Sequence, residues 1–252
     1  MKRFYTLLKL EYDGLFFPLC IIVAAMAVLQ LGLYVRMLQG TEGHVPLAHL
    51  IDAGGIPIAF AIAFVCLLVL VAARLAMNYT PSKSMYALLT LPIKRWHVYM
   101  AKLASSLLAG FMLLVVQVVL LMAFHALAGM RDASVHGGYE IARRHGDLYL
   151  SMLYSNFLRM LFPPGWFARV FFIFGYGGSI SVMLFCAAKF KTGNTHAAIA
   201  TAVGWLILLM HSFVLTDYSQ FFGIVRFVLI IGYPISACIE GIKLFEKGEV
   251  TG

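Results

Sequence analysis

Six apolar runs, each close to the ~20 residues that a helix needs to cross the hydrocarbon core of a bilayer, fill most of this sequence. Hydrophobic residues make up 62% of the 252 residues and charged residues 12%, whereas soluble domains have roughly 45–50% apolar and 25% charged residues. A soluble fold and a soluble catalytic domain are therefore excluded. We predict an all-α integral membrane protein with a single transmembrane domain, 1–252, whose spans lie at residues 15–35, 56–77, 103–128, 170–188, 197–215 and 221–239.

Residues 1–13 have the pattern of an amphipathic helix. Lys2, Thr6, Lys9 and Asp13 repeat every three to four residues, and apolar side chains fill the remaining arc. A cleaved signal peptide has its charged region directly before a short apolar core, whereas here a whole helix precedes a full-length span. We predict an amino-terminal interfacial helix followed by an uncleaved anchor.

The charge pattern predicts the orientation of the chain. A net charge of +8 and a pI of about 9.4 could indicate a nucleic-acid partner, but basic residues beside membrane spans also face the cytoplasm. Every lysine lies in the amino-terminal segment, between spans two and three, between spans four and five, or in the tail. We therefore expect no nucleic-acid partner and predict a multi-pass protein of the plasma membrane with both termini in the cytoplasm.

The segment 131–165 is predicted to be external. Its basic residues (Arg131, Arg143, Arg144 and Arg159) are accompanied by acidic ones. Its second half, Asp147 to Leu161, predicts one amphipathic helix that ends at Pro163-Pro164-Gly165. The predicted apolar face consists of Leu150, Leu153, Tyr154, Phe157, Leu158 and Leu161, opposite Ser151, Ser155, Asn156 and Arg159.

Several kinds of chemistry lack their residue patterns. There is no GxxxxGK[ST] loop to cradle phosphates, and the histidines are scattered without metal-ligand spacing. The acidic residues lie at span ends or in loops, whereas a proton-driven transporter needs carboxylates at membrane depth. We predict no catalytic, cofactor-binding or metal site in this chain, and we interpret Gly175-x-x-x-Ser179 as small-residue helix packing rather than a serine nucleophile.

A few polar residues fall inside or beside the spans. Arg36, Arg74 and Arg226 are close enough to an interface for their side chains to snorkel. Gln117 and His125 either line a pathway or form hydrogen bonds between helices. Our candidates for a pathway are Gln117, His125, Tyr176 and Ser179.

Residues 79–100, here called the coupling segment, join spans two and three. Ser82 can cap a short helix that ends at Pro92, and Arg95-Trp96 begins a second helix. An exposed amphipathic helix with basic residues favours docking to a cytoplasmic partner. The alternative is simple anchoring at the interface by tyrosine, tryptophan and lysine.

This segment resembles that of the permease subunits of bacterial type-2 ABC exporters. Its matching residues are Ser82-Lys83, Leu88-Leu89-Thr90-Leu91-Pro92-Ile93, Arg95, Tyr99 and Lys102. The resemblance implies a half-transporter that pairs with a second permease, identical or different, and with two ATPase subunits that hold ATP and Mg²⁺. It also implies an ATPase-coupling interface made of Lys83, Met85, Tyr86, Leu88, Leu89, Pro92, Arg95 and Trp96, with a lesser contact at Lys191, Thr192, Gly193 and Asn194.

The function predicted from the resemblance is export of a lipophilic or amphipathic compound, such as a peptide, a drug or a lipid. A scaffold or sensor that anchors a cytoplasmic protein without transport is the alternative. An intramembrane enzyme is disfavoured because the residue patterns described above are missing.

Overall fold

The computed structural model describes residues 2–40, 46–78, 95–136, 149–163, 165–214 and 220–247. Within these ranges the regular structure is helical and no strand occurs, which confirms the predicted all-α class. Residues 149–154 form a short helix of their own. The other helices are α1 (Lys2–Gln39), α2 (Leu47–Ala53), α3 (Ile56–Asn78), α4 (Arg95–His136), α5 (Asn156–Leu161), α6 (Trp166–Lys191), α7 (Thr195–Val214) and α8 (Gln220–Lys247).

Within the described ranges, five helices are long and apolar enough to cross a membrane. Their apolar stretches are Phe4–Gln39, Ile56–Leu75, Trp96–Met130, Ala168–Lys191 and Val228–Glu246. Helix α7, at the position of the fifth predicted span, contributes a shorter apolar stretch, Thr195–Leu209. The chain is thus a multi-pass membrane protein, and the count of six spans stays a prediction.

Helix α1 runs without a break from Lys2 to Gln39, although we predicted an interfacial helix at 1–13 and a separate span at 15–35. Gly14 does not end the helix, because one glycine costs only about 1 kcal/mol in a helix interior. Pro18 also lies inside α1, where it removes one backbone hydrogen bond. The residues predicted as an interfacial helix therefore continue without a break into the predicted first span, and their place at the interface stays a prediction.

One compact unit of the chain contains the first part of α1, the end of α3, the start of α4, and most of the chain from α6 onward; its ranges are Met1–Leu19, Leu67–Gly110 and Ile173–Gly252. Small residues allow α6, α7 and α8 to pack closely. A Cβ at Gly178 would lie 2.5 Å from Pro234 Cγ and 3.1 Å from the Trp205 ring. Trp205 Nε1 donates a hydrogen bond to Ser179 Oγ at 3.0 Å. This agrees with the predicted small-residue packing around Ser179.

The other compact unit comprises Cys20–Cys66 and Phe111–Phe172. In it, side chains of α1 contact α4 at Tyr34 and at Gln30. The Tyr34 hydroxyl donates to the Phe124 carbonyl at 2.7 Å, and the two rings stack with centroids 4.5 Å apart. Gln30 Nε2 donates to Gln117 Oε1 at 2.8 Å. All four residues are completely buried, so these contacts belong to the core of the unit.

The segment predicted as one helix from Asp147 to Leu161 is interrupted at Ser155; residues 147 and 148 lie outside the described ranges. Phe157, Leu158 and Leu161 are buried as predicted, but Leu150, Leu153 and Tyr154 are exposed, while Ser151 and Ser155 are buried. The predicted face is therefore wrong in its first half. The reason is that Ser155 adopts an extended backbone (φ −73°, ψ 127°), so the helical phase of 149–154 does not continue into α5.

The buried Ser155 hydroxyl forms two hydrogen bonds, which compensate for its burial. It donates to the Asp52 carboxylate at the end of α2 (2.7 Å) and accepts from the Leu158 N–H (3.2 Å) as the N-cap of α5. Asp52 also accepts from the Asn156 N–H at 3.0 Å. A capping carboxylate at a helix N-terminus satisfies donors that the helix leaves unpaired. Asp52 thus ties α2 to α5.

Candidate functional site

Helix α4 begins at Arg95, within the coupling segment. Of the predicted interface, Lys83, Met85, Tyr86, Leu88, Leu89 and Pro92 lie outside the described residues, as does the side chain of Arg95. The side chains described after these include those of Trp96, His97, Tyr99 and Lys102, here called the α4 base. The α4 base belongs to the helix that begins at Arg95. Its contacts therefore show which other helices hold the carboxyl-terminal end of the coupling segment.

The first turn of the α4 base faces α1. Trp96 and His97 stack with ring centroids 3.9 Å apart. The His97 ring lies 6.3 Å from that of Phe4 on α1, within the usual range for aromatic pairs. Trp96 is the one member of the predicted coupling interface between spans two and three whose side chain is described, and it is half-buried.

Tyr99 joins the α4 base to α8. It is completely buried, and its ring lies 5.3 Å from that of Phe245. Opposite it, α8 carries Gly241, where a Cβ would lie 2.5 Å from the Tyr99 hydroxyl oxygen. Glycine is therefore required at this position for α8 to approach α4 so closely.

Lys102 joins the α4 base to α1 through a buried ion pair. Its Nζ lies 2.6 Å from Glu11 Oε1, and both side chains are more than nine-tenths buried. The backbone carbonyl of Lys102 also accepts hydrogen bonds from Ser105 and Ser106. Removing one partner of a buried pair typically costs about 3–5 kcal/mol, because the other charge is left uncompensated. The pair therefore fixes α1 against α4.

Arg74 on α3 is a second cation beside this pair. Glu11, Arg74 and Lys102 line one small cavity together with apolar side chains and two serines. The guanidinium packs against α1 at Gly14, where a Cβ would overlap it. Its Nε is buried and has no hydrogen-bond partner in the described part of the chain. Arg74 therefore folds onto α1 instead of extending to an interface as the sequence favoured.

The lesser predicted contact lies in the turn between α6 and α7. Gly193 has a φ of +79°, a conformation that glycine adopts without strain at a helix C-terminus. The Thr192 hydroxyl donates to the Lys189 carbonyl at 2.8 Å, and Asn194 Oδ1 accepts from the Ala197 N–H at 3.3 Å. The turn is well capped and leaves Lys191, Gly193 and Asn194 exposed.

The candidate pathway residues take part in helix packing. Gln117 pairs with Gln30, Ser179 accepts from Trp205, and the Tyr176 hydroxyl donates to the Gly110 carbonyl at 2.9 Å. His125 is half-buried. Gln117 and His125 belong to one compact unit, and the other two belong to the other unit. Their role in a pathway stays a prediction.

Sequence reasoning missed the pairing of Glu11 with Lys102. A signal was present in α1, where Glu11 lies between Leu7 and Leu15 at a spacing of four residues, and all three are buried. An acidic residue inside an apolar stripe needs a cation nearby. Which cation this is could not be read from the sequence, since the partner comes from a distant helix.

A family model described as "ABC-2 family transporter protein" matches residues 15–187. The match covers more than half of the chain and includes Arg74, the coupling segment and the α4 base. Glu11, Gly14 and the turn at Gly193 lie outside it. No curated protein and no solved structure matches the chain.

Proposed function

Since this chain belongs to the ABC-2 family of transporter proteins, it is a membrane permease, and we propose that it forms the transmembrane subunit of an ATP-driven exporter. The cargo is a lipophilic or amphipathic compound, for which a bilayer is the natural reservoir. The subunit works in a bacterial plasma membrane with both termini in the cytoplasm. It pairs there with a second permease, identical or different.

The energy comes from a separate ATPase subunit. The sequence contains no phosphate-cradling loop, so ATP and Mg²⁺ belong to that partner and not to this chain. The partner docks on the coupling segment, with Met85, Leu88 and Leu89 in an apolar groove and Arg95 on a carboxylate. The exposed turn at Lys191, Gly193 and Asn194 provides a smaller second contact.

One observation supports this coupling route above others. The α4 base, at the carboxyl-terminal end of the coupling segment, packs on α1 through the Glu11–Lys102 ion pair and on α8 through the Tyr99–Gly241 contact. A rigid helix fastened in this way transmits a displacement of its first turn, because packed elements shift between discrete arrangements. ATP binding in the partner then changes the relative stability of inward-facing and outward-facing states.

The test uses Leu88→Asp and Arg95→Glu. Leu88→Asp places a carboxylate in the apolar groove, and an unpaired buried charge costs several kcal/mol. We expect either variant to insert into the membrane but to lose the ATPase subunit on pull-down or its stimulated ATP hydrolysis. Ile141→Asp, the same kind of change in the predicted external segment, is the control and should retain both.

The outcome also separates export from scaffolding. A co-purifying ATPase whose turnover changes with an added amphiphile supports the exporter, whereas a partner without nucleotide turnover supports the scaffold. If both variants keep partner and turnover at the parental level, the coupling segment is not the docking site.

A further inference from the structure

Three buried or half-buried charges meet where α1, α3 and α4 come together: the carboxylate of Glu11 on α1 and two cations, Lys102 on α4 and Arg74 on α3. Lys102 holds the carboxylate at 2.6 Å. The coupling segment lies in the chain between the helices that carry the two cations. The one carboxylate therefore has a potential partner on each side of the segment on which the ATPase is proposed to dock.

We propose that Glu11 exchanges its partner between Lys102 and Arg74 during the transport cycle, so that these three residues act as positioning residues for coupling. The proposal rests on the proposed function, because the exchange is driven by displacement of the coupling segment. In the arrangement described here Glu11 is bound to α4. In the other arrangement it is bound to α3.

Arg74 is placed to receive the carboxylate. Its guanidinium lies against Gly14, which is one helical turn from Glu11 on α1. Its buried Nε has no partner among the described residues, so it has a donor to offer. Pro18 has no N–H to donate to the Gly14 carbonyl four residues earlier. The Gly14 carbonyl therefore lacks its usual helical donor in the same turn of α1 that the guanidinium contacts.

The exchange requires little rearrangement of charge. One carboxylate and two cations are present in both arrangements, so the same net charge stays in place and one cation at a time holds the carboxylate. Charge attraction is strong away from water, and a pair that is separated without replacement is costly. Glu11 therefore favours one of two discrete bonds over any intermediate position, as a two-state coupling element requires.

The glycines of α1 provide a matched test. Gly14→Ala puts a methyl group where the Arg74 guanidinium lies, whereas Gly32→Ala in the same helix meets no atom of the described residues within 4 Å beyond its own helical turns. Arg74→Gln removes the second partner and leaves the Glu11–Lys102 pair intact. Arg74→Lys restores a positive charge.

Each variant is purified with its ATPase subunit and reconstituted in vesicles of phosphatidylethanolamine and phosphatidylglycerol. ATP turnover is compared with that of the free ATPase subunit, and the thermal unfolding midpoint is measured in parallel. We expect Gly14→Ala and Arg74→Gln to keep the bound ATPase but to lose about fivefold or more of the stimulated turnover, the lower end of typical coupling between sites. Arg74→Gln should keep the parental midpoint, Arg74→Lys should recover turnover, and Gly32→Ala should match the parent in turnover, with a midpoint at or slightly above the parental one through helix propensity.

Parental turnover in Arg74→Gln would overturn the exchange, because one fixed pair would then be sufficient. A lowered midpoint in Arg74→Gln would also overturn it, since Arg74 would then be a structural residue. A parental chain that stimulates no ATPase at all would contradict the proposed function itself, which is a distinguishable result.

Discussion

Gln30 and Gln117 make one amide hydrogen bond where two amide groups offer more. Gln30 Oε1 and Gln117 Nε2 are both buried without a partner within the described ranges. A buried polar atom without a hydrogen-bond partner is costly, and removing one of the two amides would leave the other amide with further unpaired atoms. The pair is therefore sensitive to single substitutions and tolerant of a matched double one.

We expect Gln117→Leu alone to lower the thermal unfolding midpoint in detergent, since the buried Gln30 amide loses its hydrogen bond to Gln117 at a cost of about 1–3 kcal/mol. The double variant Gln30→Leu with Gln117→Leu should recover most of that loss, because no buried amide remains. If the double variant is instead as unstable as the sum of the two single variants, the amide pair is not the relevant interaction.

The same double variant tests the predicted pathway role of Gln117. Parental ATPase stimulation at a parental midpoint would assign Gln117 to helix packing. A parental midpoint with lost stimulation would support the pathway.

Among single residues, the sequence was informative about polarity and poor about partners. Interhelical hydrogen bonding was one of the two interpretations of Gln117, and the bond to Gln30 is present. The pairing of Glu11 with Lys102 was not predicted, because helical periodicity shows which face a residue occupies and not which helix lies opposite. The contact of Arg74 with α1 was not predicted for a similar reason, because the space beside Gly14 is visible only in three dimensions.

Helices α4 and α8 approach closely at one position, which makes a prediction about the element as a whole. Gly241→Ala would push on the Tyr99 ring, and overpacking of this kind costs about 1–3 kcal/mol. Gly232→Ala in the same helix meets nothing in the described part of the chain within 4 Å beyond its own helical turns and should stabilise by up to about 1 kcal/mol through helix propensity. We therefore expect thermal midpoints that move in opposite directions. Equal midpoints would mean that α8 does not lie against Tyr99.

Because the helix is interrupted at Ser155, substitutions of the nearby apolar residues Leu153 and Phe157 should differ in their effect on stability. Phe157 is buried and packs edge-to-face on Phe60 with ring centroids 5.7 Å apart, whereas Leu153 is exposed. Phe157→Ala should cost about 3–5 kcal/mol, and Leu153→Ala should lie within about 0.5 kcal/mol of the parent. Thermal or denaturant unfolding of the purified protein measures both. Comparable losses would restore the single continuous helix that the sequence pattern predicted.

At the scale of elements, long apolar runs predicted the helices well because the bilayer leaves few other ways to satisfy a backbone. Short segments were harder. The apolar spacing of Leu150, Leu153 and Tyr154 fits a helix continuing into Phe157, but the capping bonds of Ser155 and Asp52 outweigh that spacing. The continuity of α1 was missed because we predicted a boundary between the charged start and the apolar run, whereas neither the charges nor Gly14 ends the helix.

For the molecule as a whole, the lysine distribution predicts which side each loop faces. The four cysteines are free in the structure, so replacing them removes no disulfide and gives a background for single-cysteine labelling. We expect a membrane-impermeant maleimide to modify Gly138→Cys and His145→Cys in intact cells. Lys83→Cys and Lys247→Cys should react only after permeabilisation. Labelling of position 83 from outside would reverse the orientation.

The family could be recognised from the sequence because its signal is local: a short motif beside a predicted span, within a chain dominated by apolar runs. The cargo and the second permease could not be identified from the sequence, since it contains no residue pattern typical of a particular ligand or partner. The proposed coupling by the α4 base depends on contacts between α1, α4 and α8 that arise only on folding.

The fit of the Arg74 guanidinium against Gly14 has a consequence for the history of the family. The Arg74 guanidinium occupies the space that a Cβ at position 14 would need, so a larger residue at 14 requires the arginine to shift or shorten, whereas the arginine can shorten while the glycine is kept. A lineage that shortened the arginine first could later accept any small residue on α1, whereas the reverse order would pass through a strained intermediate. Related sequences should therefore show the shortened arginine beside a retained glycine more often than a retained arginine beside a larger residue.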